Sequence, residues 1–155
     1  MEIRFSKYDF NITSEAAQQF IFDIIRKKNV VLTPEEWVRQ HIVHYLINDY
    51  GFPKSLISLE KQLVLNELSK RTDIVLYNHN GAPLLIVECK APEVRITQKT
   101  FDQIARYNLK LKVPYLWVTN GKTNIGCSVD LEKGKVTFLD QLPELSVLLP
   151  KLKSE

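Results

Sequence analysis

Residues 71–92, RTDIVLYNHNGAPLLIVECKAP, limit what this chain can fold into more than any other stretch. Two apolar runs flank Asn80-Gly81, a dipeptide suited to a tight hairpin turn because both residues tolerate positive φ. The runs read as strands over 71–77 and 83–90. Three charges interrupt them: Asp73, Glu88 and Lys90. Alternation along a strand puts Glu88 and Lys90 on one face and Cys89 on the other. With Asn80-Gly81 as a two-residue loop, His79 pairs with Ala82 and Asp73 falls opposite Glu88. A four-residue loop, 78–81, sets Asp73 opposite Ile86 and keeps its face. An odd loop or a bulge would break this parity. In either even register two carboxylates and one ammonium converge on one patch.

The flanking sequence supplies helices. In TPEEWVRQHIVHYLINDYG, Thr33 suits an N-cap and Pro34 the first helical position. Glu36 sits three residues after Thr33, as in a capping box. Val38, Ile42, Tyr45 and Leu46 recur at helical spacing, and Gly51 and Pro53 stop the run. TQKTFDQIARYNLKLK reads as a second helix, with Phe101, Ile104, Ala105 and Asn108 to one side. Residues 55–65 and VPYLWVTNG read as strands, IGCSVDLEKGKVTFLD as a hairpin, and the tail LPELSVLLPKLKSE closes with a short helix. QQFIFDIIRKKNVVL fits a strand or a short helix equally. The order predicts an α/β fold with a mixed four- to five-stranded sheet flanked by helices.

With 155 residues, 5 Gly and no flexible linker, one domain is expected over 1–155, its core at about 20–130. The net charge of +3 permits a polyanionic partner without demanding one. Cys89 and Cys127 lack metal-type spacing and read as reduced thiols. The start MEIRFSKYDF has no apolar signal region, and no run is long enough to span a membrane. A cytoplasmic protein is the expectation.

Adjacent carboxylates repel and raise each other's pKa, and a divalent cation relieves the conflict. Hard oxygen donors suit Mg²⁺ or Mn²⁺, and the carbonyl of Cys89 offers a further ligand. Lys90 is placed to orient water or stabilise developing negative charge. The plainer reading is an ion pair of Lys90 with Glu88 or Asp73.

TPEEWVRQ, RTDIVLY, LLIVECKAP and FDQIARYN, in that order, resemble the PD-(D/E)XK nuclease superfamily, and within it the N-terminal nuclease domain of type I restriction enzyme R subunits. Thr72 stands where the superfamily usually has Pro. Gln103 and Tyr107 match the QxxxY motif of RecB-like members, at i and i+4 on one helical face. The resemblance implies a restriction-endonuclease-like fold and Mg²⁺-dependent cleavage of DNA phosphodiesters. It assigns metal binding to Asp73 and Glu88, catalysis to Lys90, and DNA positioning to Gln103 and Tyr107. A helix glutamate completes the metal shell, Glu35 by preference because Glu36 has a capping role, with Glu36 as the alternative. R subunits continue into a motor, yet no GxxxxGK[ST] motif occurs here. A free-standing nuclease domain, a fragment, or a relative with another task all fit.

Arg95, Lys99, Arg106 and Lys110 are candidate phosphate contacts, balanced against a solvated helix face. His41 and His44 fit packing better than metal binding, and Trp37 and Trp117 fit core or rim positions. Thr119-Asn120-Gly121 reads as a turn. DNA is the expected partner, with other restriction-modification or repair proteins and a second copy of the chain as further candidates. The rival function is a non-catalytic DNA-binding or assembly module that keeps the nuclease core. A nuclease acting on RNA or on damaged DNA is a third.

Overall fold

The structure is a computed structural model describing residues 8–65 and 68–150, with the side chains of 62–65, 68–70 and 107 outside the description. The N-terminal part forms a three-stranded antiparallel sheet from β1 (Ile12–Glu15), β2 (Gln18–Asp23) and β3 (Lys28–Val31). QQFIFDIIRKKNVVL is therefore β2, a turn and β3, the strand reading of that stretch. Its turns lack the usual residues: Ala16 and Ala17 adopt φ of 49° and 64°, and Lys27 adopts 55°.

Helix α1 (Pro34–His44) starts as its cap predicts, with the Glu36 N–H donating to Thr33 Oγ1 at 3.0 Å. The reciprocal half of the capping box does not form. The Thr33 N–H donates to the Val31 carbonyl, and the Glu36 carboxylate goes elsewhere. A π-helical turn, Tyr45–Asp49, extends α1. Then come β4 (Ile57–Leu65), β5 (Leu68–Tyr77), β6 (Pro83–Cys89), α2 (Gln98–Leu111), β7 (Tyr115–Thr119), β8 (Asn124–Asp130), β9 (Lys135–Leu139) and α3 (Leu145–Leu148).

The main sheet runs β4-β5-β6-β7-β8-β9. It has six strands, not four or five, because the C-terminal hairpin continues it: β8 pairs with β7 from Tyr115↔Ser128 to Thr119↔Asn124. All pairings are antiparallel except β6–β7, the parallel pair that needs the α2 crossover. One face of the sheet packs Ile74, Leu76, Leu85, Val87 and Cys89 against Val38, Ile42, Val43 and Leu46. The other packs Val75, Ile86 and Val118 against Phe101 and Ala105 of α2. Among the described residues, no helix is long and apolar enough to cross a membrane.

Candidate active site

The β5–β6 ladder runs in register from Leu76↔Leu85 to Ile74↔Val87, while Tyr77 pairs with Pro83 across a bulge. Five residues, 78–82, separate those paired ends, and both irregularities are of the kind that breaks parity. They cancel. Past the bulge the register is that of a two-residue loop, so the next position sets Asp73 opposite Glu88. Asn78 holds the loop: its Oδ1 accepts the N–H groups of Asn80 and Ala82, each at 2.9 Å.

Beyond Ile74↔Val87 the two strands part. β5 continues to pair with β4, and β6 with β7 as far as Cys89↔Thr119. Asp73 stands in this fork, and its Oδ2 accepts the Cys89 N–H at 2.8 Å. Alternation along β6 places Glu88 with Ile86 on the α2 side, whereas the Asp73 carboxylate, in the fork, reaches Arg39 of α1. Cys89 packs into the opposite core, where burial and the Asp73 charge push its thiol pKa well up. Glu88 is 8% exposed. Lys90 follows β6, its N–H donating to the Thr119 carbonyl at 2.8 Å, and its charge acts on Glu35 of α1.

Helix α1 brings a second group of charges to Asp73. Arg39, 4% exposed, places Nη2 at 2.7 Å from Asp73 Oδ1, 2.5 Å from Glu60 Oε1 and 3.1 Å from Glu35 Oε1. Its Nη1 donates to Glu36 Oε2. Burial works against the Arg39 charge, but the Asp73 hydrogen bond and the charges of Glu36, Asp73 and Glu60 more than offset it and raise its pKa. Glu35 is largely exposed, and its pKa is raised by partial burial and by Asp73, against the pull of Arg39 and Lys90.

Glu36 has a different environment. Its Oε1 accepts from Arg26 at 2.6 Å and from Gln40 at 2.9 Å, which ties the β2–β3 turn to α1. Of the two helix glutamates, Glu35 therefore lies beside Asp73 and Lys90, and Glu36 is held in a buried network.

Gln103 is exposed on α2, and no hydrogen bond or ion pair among the described residues joins it to Asp73, Glu88 or Lys90. It lies at helical spacing with Lys99, Arg106 and Lys110, all exposed, so these four form one outward stripe. Tyr107 is part of α2, but its side chain lies outside the described residues. Arg95 is exposed in the segment leading to α2. His41 and His44 pack against Phe10 at ring distances of 4.6 and 4.7 Å.

Glu60 carries no sequence signal, and Asn120 reads in the sequence only as part of a turn. Glu60 stands at the β4 position opposite Asp73, with a φ of 53° that the ladder steps over between Leu59↔Ile74 and Lys61↔Thr72. Asn120 donates from Nδ2 to the Val94 carbonyl at 2.8 Å, fixing the segment after Lys90 to the end of β7.

Residues 34–143 match the family described as type I restriction enzyme R protein N terminus. The chain belongs to that family. The match spans α1, the fork and the α2 crossover. A fold comparison finds a proposed nuclease belonging to DUF820 from Anabaena variabilis ATCC 29413, at 14% identity and a TM-score of 0.47, covering 83% of this chain and 80% of that one. Among curated proteins nothing matches the chain significantly.

The R-subunit N-terminal family and this donor set raise the question of a metal. Among the described residues, no group of three His, Cys, Asp or Glu side chains is arranged to hold an ion. Mg²⁺ does not require one, since one or two carboxylates with waters and substrate phosphates suffice. Asp73 and Glu88 supply hard oxygens, and Asp73 Oδ1 already draws a positive group to 2.7 Å. The donors present fit a hard divalent cation.

Proposed function

We propose that the chain hydrolyses DNA phosphodiester bonds with Mg²⁺ or Mn²⁺ at the β5–β6 fork. What supports this most is the placement of Asp73, Glu88 and Lys90 around Cys89 at the fork, in a chain of the R-subunit N-terminal family. Asp73, Glu88 and the Cys89 carbonyl would hold the metal, with Glu35 beside them. The metal, when bound, supplies Lewis acidity and an activated water. Lys90 stabilises charge developing on the phosphoryl oxygens. The Thr119 carbonyl and buried Asn120 hold the backbone at Lys90 and Val94. Arg95 and the Lys99, Gln103, Arg106 and Lys110 stripe meet backbone phosphates, which confers affinity without sequence preference. Tyr107 joins Gln103 as the second residue of its motif.

One observation favours a second reading, a non-catalytic DNA-binding module: Arg39 already neutralises Asp73. Plasmid nicking in Mn²⁺ separates the two. Wild type should nick, and Asp73→Ala and Lys90→Ala should each lose roughly a hundredfold or more. Equal background nicking by all three, with DNA still retained, supports the binding module and removes the enzyme.

A further inference from the structure

Arg39 Nη2 carries two hydrogens and has three carboxylate acceptors, from α1 (Glu35), β4 (Glu60) and β5 (Asp73). Its contacts exceed what hydrogen bonding alone can use, so the group acts there as a centre of positive charge. Arg39 Nε, meanwhile, is buried with no hydrogen-bond partner among the described residues. The guanidinium is thus oriented by the carboxylates and not by saturation of its own donors. Glu60 reaches it from a left-handed backbone conformation that a glutamate adopts at a cost, in mid-strand and opposite Asp73. Its other oxygen, Oε2, accepts from exposed Arg71 at 2.7 Å.

We infer that Arg39 is a built-in counter-ion of the fork: it occupies Asp73 Oδ1 until a divalent cation takes its place, and Glu60 is the carboxylate that receives the displaced guanidinium. This rests on the proposed metal site. A divalent cation and the Arg39 guanidinium repel each other at Asp73 Oδ1, and that repulsion favours exchange over sharing of the oxygen. Glu60 makes the exchange feasible. Arg39 shifts between two acceptors already in contact with the same nitrogen, while Glu36 keeps hold of Nη1. Both residues position Asp73 and touch no reacting atom.

The test is Mn²⁺ binding by the whole chain, followed by electron paramagnetic resonance of the unbound ion, which needs no turnover. Arg39→Gln keeps a hydrogen-bond donor and removes the charge, and should bind Mn²⁺ roughly tenfold tighter than wild type. Glu60→Gln leaves Arg39 committed to Asp73 and should bind more weakly, with little change in melting temperature. A merely structural role would weaken binding in both variants. Folded Arg39→Gln binding no tighter than wild type overturns the inference while leaving the metal site standing. Should Arg39→Gln not fold, wild-type crystals decide: with Mn²⁺ bound, the Nη2–Oδ1 contact should open beyond about 3.5 Å. The contact persisting at its present length beside a bound ion overturns the inference. No Mn²⁺ binding by wild type or by Arg39→Gln overturns both the inference and the metal site.

Discussion

Asp73 and Glu88 each lie one residue beyond Ile74 and Val87, the last pair of the β5–β6 ladder, where the strands part. That register holds because a five-residue loop and a bulge offset one another. Either irregularity alone would turn one strand over and send one carboxylate to the opposite side of the sheet. The loop that sets this register therefore bears directly on the site.

Asn78 is the residue that shapes that loop, since its side chain accepts two backbone N–H groups. Asn78→Ala should cost about 1–2 kcal/mol of stability. Urea denaturation measures it, and a cost near zero would mean that the bulge sets the register by itself.

Gly126 lies under the Trp117 ring. A Cβ built there would sit 2.3 Å from Cε3 and 2.5 Å from Cζ3 of a side chain that is 2% exposed. The indole is wedged in the core and has little room to move. Gly126→Ala should destabilise by about 1–3 kcal/mol, visible as a lower melting temperature.

His41 and His44 are buried among aromatic rings, and burial holds both pKa values below the ordinary 6.5. In His44 the neighbouring His41 lowers it further. The folded state thus binds fewer protons than the unfolded state in this window, so stability falls as pH drops below about 6.5. Melting temperature should decline from pH 7 to pH 5, with a shallower slope in His44→Gln. An unchanged slope would place the acid sensitivity elsewhere.

Asp23 is fully buried, which alone would raise its pKa. The Arg26 N–H, the Arg26 guanidinium and the Ile25 N–H outweigh burial and lower it. Its contribution is present above the unfolded carboxylate value and lost as pH falls through the lowered folded one. Asp23→Asn should lose about 2 kcal/mol at pH 7, and the difference from wild type should shrink at pH 3, as read by urea titration.

How legible the fold was depended on whether turns and caps carried their usual chemistry. Thr33-Pro34 did, so α1 could be read directly; Asn80-Gly81 marked the central hairpin, but Asn78 shapes its loop and of the pair Gly81 takes the positive φ. The N-terminal sheet could not be distinguished from a short helix, because its turns use Ala16, Ala17 and Lys27 at positive φ. Asp73 and Glu88 stood out because charges rarely interrupt buried strands. Glu60 did not, since a glutamate in a strand reads as a solvent-facing residue until its backbone conformation and its contact with Arg39 are known. Glu36 was separated from Glu35 on a capping argument, yet what holds it is Arg26, Arg39 and Gln40, contacts reaching from β2–β3 that spacing cannot reveal.

The most direct measurement is a crystal of this chain soaked in Mn²⁺ and read by anomalous scattering. The expected result is one strong peak in the fork, within coordination distance of Asp73 and Glu88 carboxylate oxygens and next to the Cys89 carbonyl. A fork without a peak at millimolar Mn²⁺, or an ion bound elsewhere with Asp73 still against Arg39, would contradict a metal-dependent nuclease site in this fold.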